Sequence, residues 1–361
     1  MSYSKPKLAG KVQTVLCLIS PDEMGITLSH EHCLVDLSCL VNEPTSEIGK
    51  KLAHEPVSFD NVGYIRYHRH ENRDNVRLLD EGLTIKEFMF FKQAGGQTVV
   101  DCSNVDIGRN PIAIKRISQS TGLNIIMSTG YYTKPSQKLH IMDKRSEEDI
   151  GKEFLKELSE GVMETDIRCG AIGEIGCSWP LADCERKVVR AAGIAQRESG
   201  APLVIHPGRS EDAPAEIVEI LREVGTDLTH TVISHTSRTM FVPKNRYNIL
   251  DAGCYLAYDM FGYDGYYPDS FPDSRDLPAP IDILTDTQRI AQIKDLISHG
   301  FGKQILISQD ICFKCSYMSY GGHGYAHILN NVVPVMRRRG ISEDQINDLL
   351  RGNPKRFYTF R

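Results

Sequence analysis

The chain of 361 residues has no apolar stretch that approaches the roughly 18 residues of a membrane-spanning helix. Its first residues, MSYSKPKLAGKVQTV, lack the apolar segment of a secretion signal. Basic residues are scattered and the formal net charge is −5, so no basic stripe predicts binding to nucleic acid. These absences predict a cytoplasmic protein that acts on neither membranes nor nucleic acids.

Paired cysteine motifs are nearly absent, although the chain has ten cysteines. Without a secretion signal, we expect reduced thiols rather than a disulfide framework. One C-x-x-C pair occurs, at Cys312 and Cys315, and no second pair with matching spacing accompanies it. A four-cysteine structural zinc site is therefore not predicted.

Short apolar runs rich in Val, Ile and Thr recur along the chain, and helix-like stretches follow them. The eight runs are ITLSH (26–30), QTVVDCS (97–103), NIIMSTGYY (124–132), CGAIGEIG (169–176), PLVIHPG (202–208), HTVISHT (230–236), CYLAYDM (254–260) and QILISQD (304–310). Most are uninterrupted, as expected of strands buried on both faces of a parallel sheet. Eight strand–helix units predict an α/β fold closed into a (β/α)₈ TIM barrel, as a single domain over 1–361.

An open, doubly wound sheet is the alternative fold, but it usually carries a G-x-G-x-x-G after its first strand, where this chain has SHEHC. Two segments exceed ordinary loop length. Residues 33–96 separate the first two strands, and we predict a charged helix at about 70–92 within them. Residues 261–285 follow the seventh strand, and loops of this length are often functional lids, with a surface insert as the alternative. The barrel is thus predicted with a short N-terminal extension and a long loop after strand 7.

Residue types that bind metals occur at the carboxyl ends of five runs, where TIM barrels place their active sites. His30 and His32 flank Glu31, so a β-strand would point both imidazoles the same way. The full set is His30, His32, Glu174 in AIGEIG, His206 in VIHPG, His235 in VISHT and Asp310 in ISQD. An isolated H-x-H is weak evidence, but six such residues at one end of a barrel predict a metal site for zinc or manganese.

Six protein ligands exceed the three of a typical catalytic zinc site and fit two divalent ions. Glu174 is predicted to bridge the ions, because a carboxylate has two oxygens to share. His30, His32 and Asp310 would hold one ion, and His206 and His235 the other. Asp310 is also predicted to be the general base and acid, since it would lie beside the bridging water. Zinc is the predicted metal, with manganese or cobalt as alternatives.

Other polar residues at or just beyond strand ends are predicted to contact a small-molecule substrate. They are Tyr131, Arg209, Arg238, Tyr258, Lys314 and His323. Any of the three cations could meet an anionic group, and a solvated surface position is the alternative for each. Six further histidines lie in charged stretches or at the starts of runs and are expected to be exposed: His54, His68, His70, His140, His230 and His299.

The chain resembles the phosphotriesterase family of the amidohydrolase superfamily over nearly its whole length. The resemblance is carried by GKVQTVLCLISPDEMGITLSHEHCLVDL, GEIGCS, IHPGR, ISHTSRT, ISQD and NPKRFY. It implies an amidohydrolase-type barrel, a homodimer, and metal ligands at His30, His32, His206, His235 and Asp310. Classical members bridge their metals with a carbamylated lysine on strand four, whereas this run has Glu174 and no lysine.

With Glu174 in place of the lysine, the chain resembles a branch of the family whose members are poor phosphotriesterases. For that branch the resemblance implies hydrolysis of an amide, N-acetyltaurine, to acetate and taurine by attack of metal-bound hydroxide, with related N-acyl amino acids as further substrates. A lactonase or phosphotriesterase is the alternative enzyme. A metal-binding scaffold without turnover is a third hypothesis, which the presence of Asp310 disfavours.

Overall fold

The computed structural model describes residues 8–137, 142–263 and 283–361. Eight strands form its main sheet: β1 Thr27–Glu31, β2 Thr98–Asp101, β3 Asn124–Thr129, β4 Ala171–Gly176, β5 Leu203–His206, β6 Thr231–Ile233, β7 Tyr255–Tyr258 and β8 Ile305–Ile307. Each strand pairs in parallel with the next one in the chain, from β1 to β8. The predicted strands and the TIM-barrel fold are therefore confirmed.

A buried carboxylate joins the two ends of this sheet. Glu31, on β1, accepts hydrogen bonds from the hydroxyl of Ser308 and from the backbone N–H groups of Gln309 and Ile311, at 2.7 to 2.9 Å. These three residues directly follow β8. Because Glu31 faces this seam, its two histidine neighbours face the barrel interior.

Helices pack around the sheet. The longer ones are Glu81–Gln93, Pro111–Thr121, Glu147–Ser159, Asp183–Ser199, Ala213–Glu223, Pro243–Asp251 and Asp286–Ser298. The shorter ones are Glu47–Leu52, Val62–Ile65, Thr236–Thr239, Val333–Arg338, Glu343–Asn347 and Asn353–Tyr358. Local signals set their limits: Pro111–Thr121 begins after Asn110, whose side chain accepts from the third helical N–H, and ends at Gly122 in the left-handed conformation.

The helix predicted at about 70–92 is shorter than expected. It begins at Glu81, because the side chain of Asp80 caps it, and Arg77–Leu78 forms a short antiparallel pair with Val35–Asp36. A second short pair, Val12–Gln13 with Leu18–Ile19, precedes β1. The segment between β1 and β2 therefore contains mixed short elements before its one long helix.

Apolar side chains fill the barrel and close its amino end. Interior-facing residues such as Val100, Ile126 and Leu306 form one cluster with Val12 from the N-terminal pair and with Phe357 from the last helix. All five of these side chains are fully buried. The opposite, carboxyl end of the strands is lined by polar side chains.

No helix within the described ranges is both long and apolar enough to cross a membrane. The long loop predicted after the seventh strand, 261–285, falls mostly on residues 264–282, which lie outside the described residues. His140 lies outside them as well.

Candidate metal centre

The six predicted ligand residues converge at the carboxyl end of the barrel. Five of them are at most 9 % exposed, while the side chain of Asp310 is 15 % exposed and reaches the solvent side. Their donor atoms form two clusters, each within 4.8 Å: His30, His32 and Asp310 in one, and Glu174, His206 and His235 in the other. The structure thus brings together all six residues from five strands.

Within the first cluster, Oδ1 of Asp310 lies 3.2 Å from Nε2 of His32 and 3.8 Å from Nε2 of His30. Within the second, Oε2 of Glu174 lies 2.8 Å from Nδ1 of His206 and 3.5 Å from Nε2 of His235. In each cluster, one carboxylate therefore lies within 3.8 Å of two imidazole rings.

Glu174 occupies the boundary between the clusters. Its Oε2 lies 3.5 Å from Nε2 of His30, and its Oε1 lies 3.7 Å from Nε2 of His32. Because Oε2 also contacts His206 and His235, the carboxylate of Glu174 touches both clusters, as a bridging ligand must.

The backbone turns two of these side chains inward just beyond their strands. His235 has φ 55° and Asp310 has φ 51°, both in the left-handed region that residues other than glycine rarely adopt. Such conformations cost free energy and persist where the surrounding structure enforces them, often at functional sites. Here they place a donor atom from β6 and one from β8 over the barrel axis.

The donor set fits divalent cations. Nε2 of His30 is buried and makes no hydrogen bond to any residue in the described part of the chain. A buried nitrogen without a partner is costly unless a ligand binds it. Burial lowers the pKa of His206 to about 3, so its imidazole is neutral and has a free electron pair. Four imidazoles with two carboxylates match the chemistry of zinc, manganese or cobalt.

Asp259 belongs to the same site, although it was not among the residues predicted from the sequence. It is fully buried just after β7, and it contacts Nδ1 of His30 at 3.2 Å and Nδ1 of His235 at 3.1 Å. The backbone N–H of His235 also donates to it at 2.9 Å. These contacts hold both rings with Nε2 turned toward the centre, as carboxylates behind metal-bound histidines do.

The charge state of Asp259 follows from these contacts. Burial alone would raise the pKa of Asp259. The positive charges of His235 and His30, and their hydrogen bonds to the carboxylate, instead hold this pKa well below its usual range. Its sequence signal was an acidic residue near the end of the run CYLAYDM, as Asp310 is at the end of QILISQD.

An open cavity lies over the centre. It has about 610 Å³ of space not filled by atoms, which includes open solvent at its mouth. His206, His235 and Asp310 form part of its wall, and Arg209 and Arg238 line it as well. Two of the six predicted substrate-contact residues therefore lie where a substrate would bind.

Two predicted tyrosines face away from this cavity because strand side chains alternate. The hydroxyl of Tyr131 donates to Glu153 at 2.9 Å, and that of Tyr258 donates to Gln292 at 3.1 Å, both on surrounding helices. The neighbouring Tyr132 instead lines the cavity, with its ring centroid 5.0 Å from that of His206. The prediction thus missed the cavity-lining tyrosine by one residue, because consecutive side chains point to opposite sides.

The other two predicted contacts also lie elsewhere. The ammonium group of Lys314 forms an ion pair with Asp74. His323 lines a separate cleft that includes Arg66 and Asp286. The structure therefore does not bring Lys314 or His323 to the metal centre.

The expectation that the other histidines are exposed is wrong for two of them. His70 is 3 % exposed and lines the cavity, and its ring packs edge-on against Phe313 at 5.1 Å. His230 is fully buried at the amino end, where Nε2 lies 2.5 Å from the carbonyl oxygen of Phe357. Charged sequence neighbours suggested exposure, but the 33–96 segment folds over the barrel mouth and the last helix covers the amino end.

The sequence matches the phosphotriesterase family over residues 10–358. It is 39 % identical over 357 residues to the N-acetyltaurine hydrolase of Homo sapiens, covering 98 % of this chain and 99 % of that protein. It is 40 % identical over 356 residues to a phosphotriesterase-related protein of Nematostella vectensis, with the same coverage. The crystal structure of a resiniferatoxin-binding protein from Rhodobacter sphaeroides superposes with a TM-score of 0.93 at 32 % identity, covering 99 % of this chain and 98 % of that one.

Proposed function

The chain belongs to the phosphotriesterase family, and from that premise we propose that it is a binuclear metal-dependent amidohydrolase that cleaves N-acetyltaurine to acetate and taurine. Related small N-acyl amino acids are further substrates in this proposal. The observation that carries it is a six-residue ligand set, three of whose members line one cavity together with two arginines, in a chain 39 % identical to a protein named N-acetyltaurine hydrolase.

Two divalent cations would be held by the two clusters, with Glu174 shared between them. We propose zinc, with manganese or cobalt as alternatives, because imidazole and carboxylate ligands suit all three. Cations in such a site activate a carbonyl group toward attack and lower the pKa of water to near neutrality.

Asp310 is the residue of the chain best placed to move a proton. Its carboxylate lines the cavity, is 15 % exposed, and lies 3.2 Å from Nε2 of His32. In our proposal it accepts a proton from the attacking water and delivers it to the amide nitrogen. An amine is a poor leaving group unless it is protonated, so this transfer is essential for an amide.

The remaining wall of the cavity binds and orients the substrate. The ring of Tyr132 and the side chains of Leu37 and Leu40 supply apolar contacts, and Arg209 and Arg238 supply positive charge. A small acyl group can pack against the apolar wall while an anionic group meets an arginine. This division of the cavity fits a short acyl amine that carries a sulfonate or a carboxylate.

A substrate panel tests the proposal. Zinc-loaded protein would be assayed with N-acetyltaurine, several N-acetyl amino acids, a lactone and paraoxon, before and after treatment with a chelator. We expect the highest kcat/KM for N-acetyltaurine and loss of this activity on chelation, with recovery when zinc is returned. A preference for the lactone or paraoxon would instead support the alternative, a lactonase or phosphotriesterase.

A further inference from the structure

Arg238 is a buried cation that the protein leaves incompletely paired. Its side chain lines the cavity, and the residue is 3 % exposed. Nη1 is buried and has no hydrogen-bond partner among residues 8–137, 142–263 and 283–361. By contrast, the buried Arg109 donates from both terminal nitrogens to Glu157, at 2.7 and 2.8 Å. A buried guanidinium without acceptors is costly, so the position of Arg238 needs a further partner.

The side chain of Arg238 contacts one of the predicted metal ligands. Its Nη2 lies 3.0 Å from Nε2 of His206, on the side of the ring opposite to the Nδ1 that faces Glu174. When Nδ1 of a histidine binds a cation, the ring proton resides on Nε2, which can then no longer accept a hydrogen bond. In the metal-loaded protein neither terminal nitrogen of Arg238 would then have an acceptor among the described residues, and a ligand in the cavity that Arg238 lines could supply one.

Resting on the function proposed above, we propose that Arg238 binds the anionic group of the substrate and determines specificity for it. A guanidinium offers a planar pair of donors that matches a sulfonate or carboxylate. One imidazole ring separates Arg238 from the contact between His206 and Glu174. The anion must therefore be linked to the scissile carbonyl through only a few atoms, which selects N-acyl β-amino sulfonates and short N-acyl amino acids over neutral amides and lactones.

The first test compares kinetics on a charged and a neutral amide. Zinc-loaded wild type, Arg238→Gln and Arg238→Lys would be assayed with N-acetyltaurine and with N-ethylacetamide, which lacks the sulfonate. We expect Arg238→Gln to raise KM for N-acetyltaurine by about ten- to a hundredfold, with a smaller change in kcat. The preference for the charged over the neutral amide should fall by a similar factor, and Arg238→Lys should lie between.

A matched control is Arg116→Gln, which removes one positive charge from an exposed position that is paired with Glu81 on the outer helices. It should keep the wild-type preference. Zinc content and melting temperature of every variant would be measured, so that loss of metal or of folding is not mistaken for loss of anion binding.

The second test measures binding without turnover. Calorimetry would follow binding of the sulfonate ketone in which a CH₂ group replaces the amide nitrogen, to zinc-loaded and to chelator-treated protein. We expect Arg238→Gln to weaken binding of this ketone by about ten- to a hundredfold relative to wild type in the zinc-loaded form. If the glutamine variant does not fold, Arg238→Lys gives the same test. It keeps the positive charge but lacks the planar pair of guanidinium donors, so it should weaken binding of the ketone by a smaller factor.

The outcomes separate the two proposals. If Arg238→Gln keeps the wild-type KM and the wild-type affinity for the sulfonate ketone, the role of Arg238 is wrong, while the N-acetyltaurine activity stands. If wild type hydrolyses neither amide, the proposed function is wrong, and calorimetry still decides whether Arg238 binds a sulfonate.

Discussion

The two ends of the barrel differ in what their buried polar groups contact. At the amino end, the hydroxyl of Tyr358 donates to the backbone carbonyl of Ser29 at 2.7 Å, and the amide of Asn353 donates to the carbonyl of Ile305 at 2.7 Å. At the carboxyl end, side chains of different strands contact one another. Polar groups at the amino end thus fasten the chain, whereas those at the carboxyl end form a site.

Two histidines show that burial alone does not distinguish these roles. His30 is 1 % exposed and His230 is fully buried. His230 contacts a backbone carbonyl of the last helix, whereas His30 contacts Asp259, just after β7, and lies near Glu174 on β4. The contacts of a buried histidine, rather than its burial, therefore indicate whether it serves structure or chemistry.

The largest effect is expected at the carboxyl end, from Asp310→Asn. Removal of the proton-transfer group should lower kcat by about 10²- to 10⁴-fold. The melting temperature should change by only a few degrees, because the side chain is partly exposed and lies outside the apolar cluster. Steady-state kinetics on N-acetyltaurine and thermal melting measure the two quantities, and an unchanged kcat would reject the assigned role.

The opposite pattern is expected at the amino end, from Phe357→Ala. This fully buried ring packs in the interior cluster, so its removal should lower the free energy of unfolding by about 3–5 kcal/mol. The folded fraction should keep the wild-type kcat and zinc content. Urea unfolding and kinetics at low temperature would check this, and a loss of kcat as large as that of Asp310→Asn would show that the two ends are not independent.

A smaller effect is expected from Asp259→Asn, which keeps the shape of the side chain but removes the charge behind His30 and His235. Carboxylates that orient metal-bound histidines typically contribute about 10- to 100-fold in metal affinity. Competition with a chelator of known zinc affinity measures this change. Wild-type zinc affinity in the variant would mean that Asp259 does not support the ligands.

The smallest effect concerns pH and His230. Burial lowers its pKa to about 4, whereas the unfolded chain has the ordinary value of about 6.5. As the pH falls below about 6.5, the unfolded state binds this proton first, so the stability present at neutral pH is lost progressively toward pH 4. His230→Asn should therefore make the free energy of unfolding of chelator-treated protein depend less on pH between about 7 and 5. An unchanged dependence would assign the effect to other groups.

The sequence predicted those features that depend on local pattern. The eight strands appear as apolar runs, and the ligands His30, His32, His206, His235, Glu174 and Asp310 appear because barrels place chemistry at strand ends. Asp259 was predictable by the same rule and was missed. The metal roles of these residues, the single domain, the homodimer and the cytoplasmic location stay predictions.

Other features depend on tertiary contacts that no local pattern shows. Whether Tyr131 or Tyr132 faces the cavity depends on which alternate residues of β3 point into the barrel. The sequence does not show this, because a strand buried on both faces is apolar at every position. The burial of His70 depends on how the 33–96 segment folds over the barrel mouth. Arg238 reaches the cavity by way of the left-handed backbone conformation at His235, which cannot be predicted from the local sequence.

Elemental analysis of protein purified without chelator is the decisive test of whether the carboxyl end of the barrel is a binuclear metal centre. We predict close to two ions of zinc, manganese or cobalt per chain in wild type and a loss of at least one ion in Glu174→Gln. Hydrolysis of N-acetyltaurine should disappear when the ions are removed and return when they are restored. Metal-free protein that neither binds added zinc tightly nor gains hydrolytic activity would contradict these predictions.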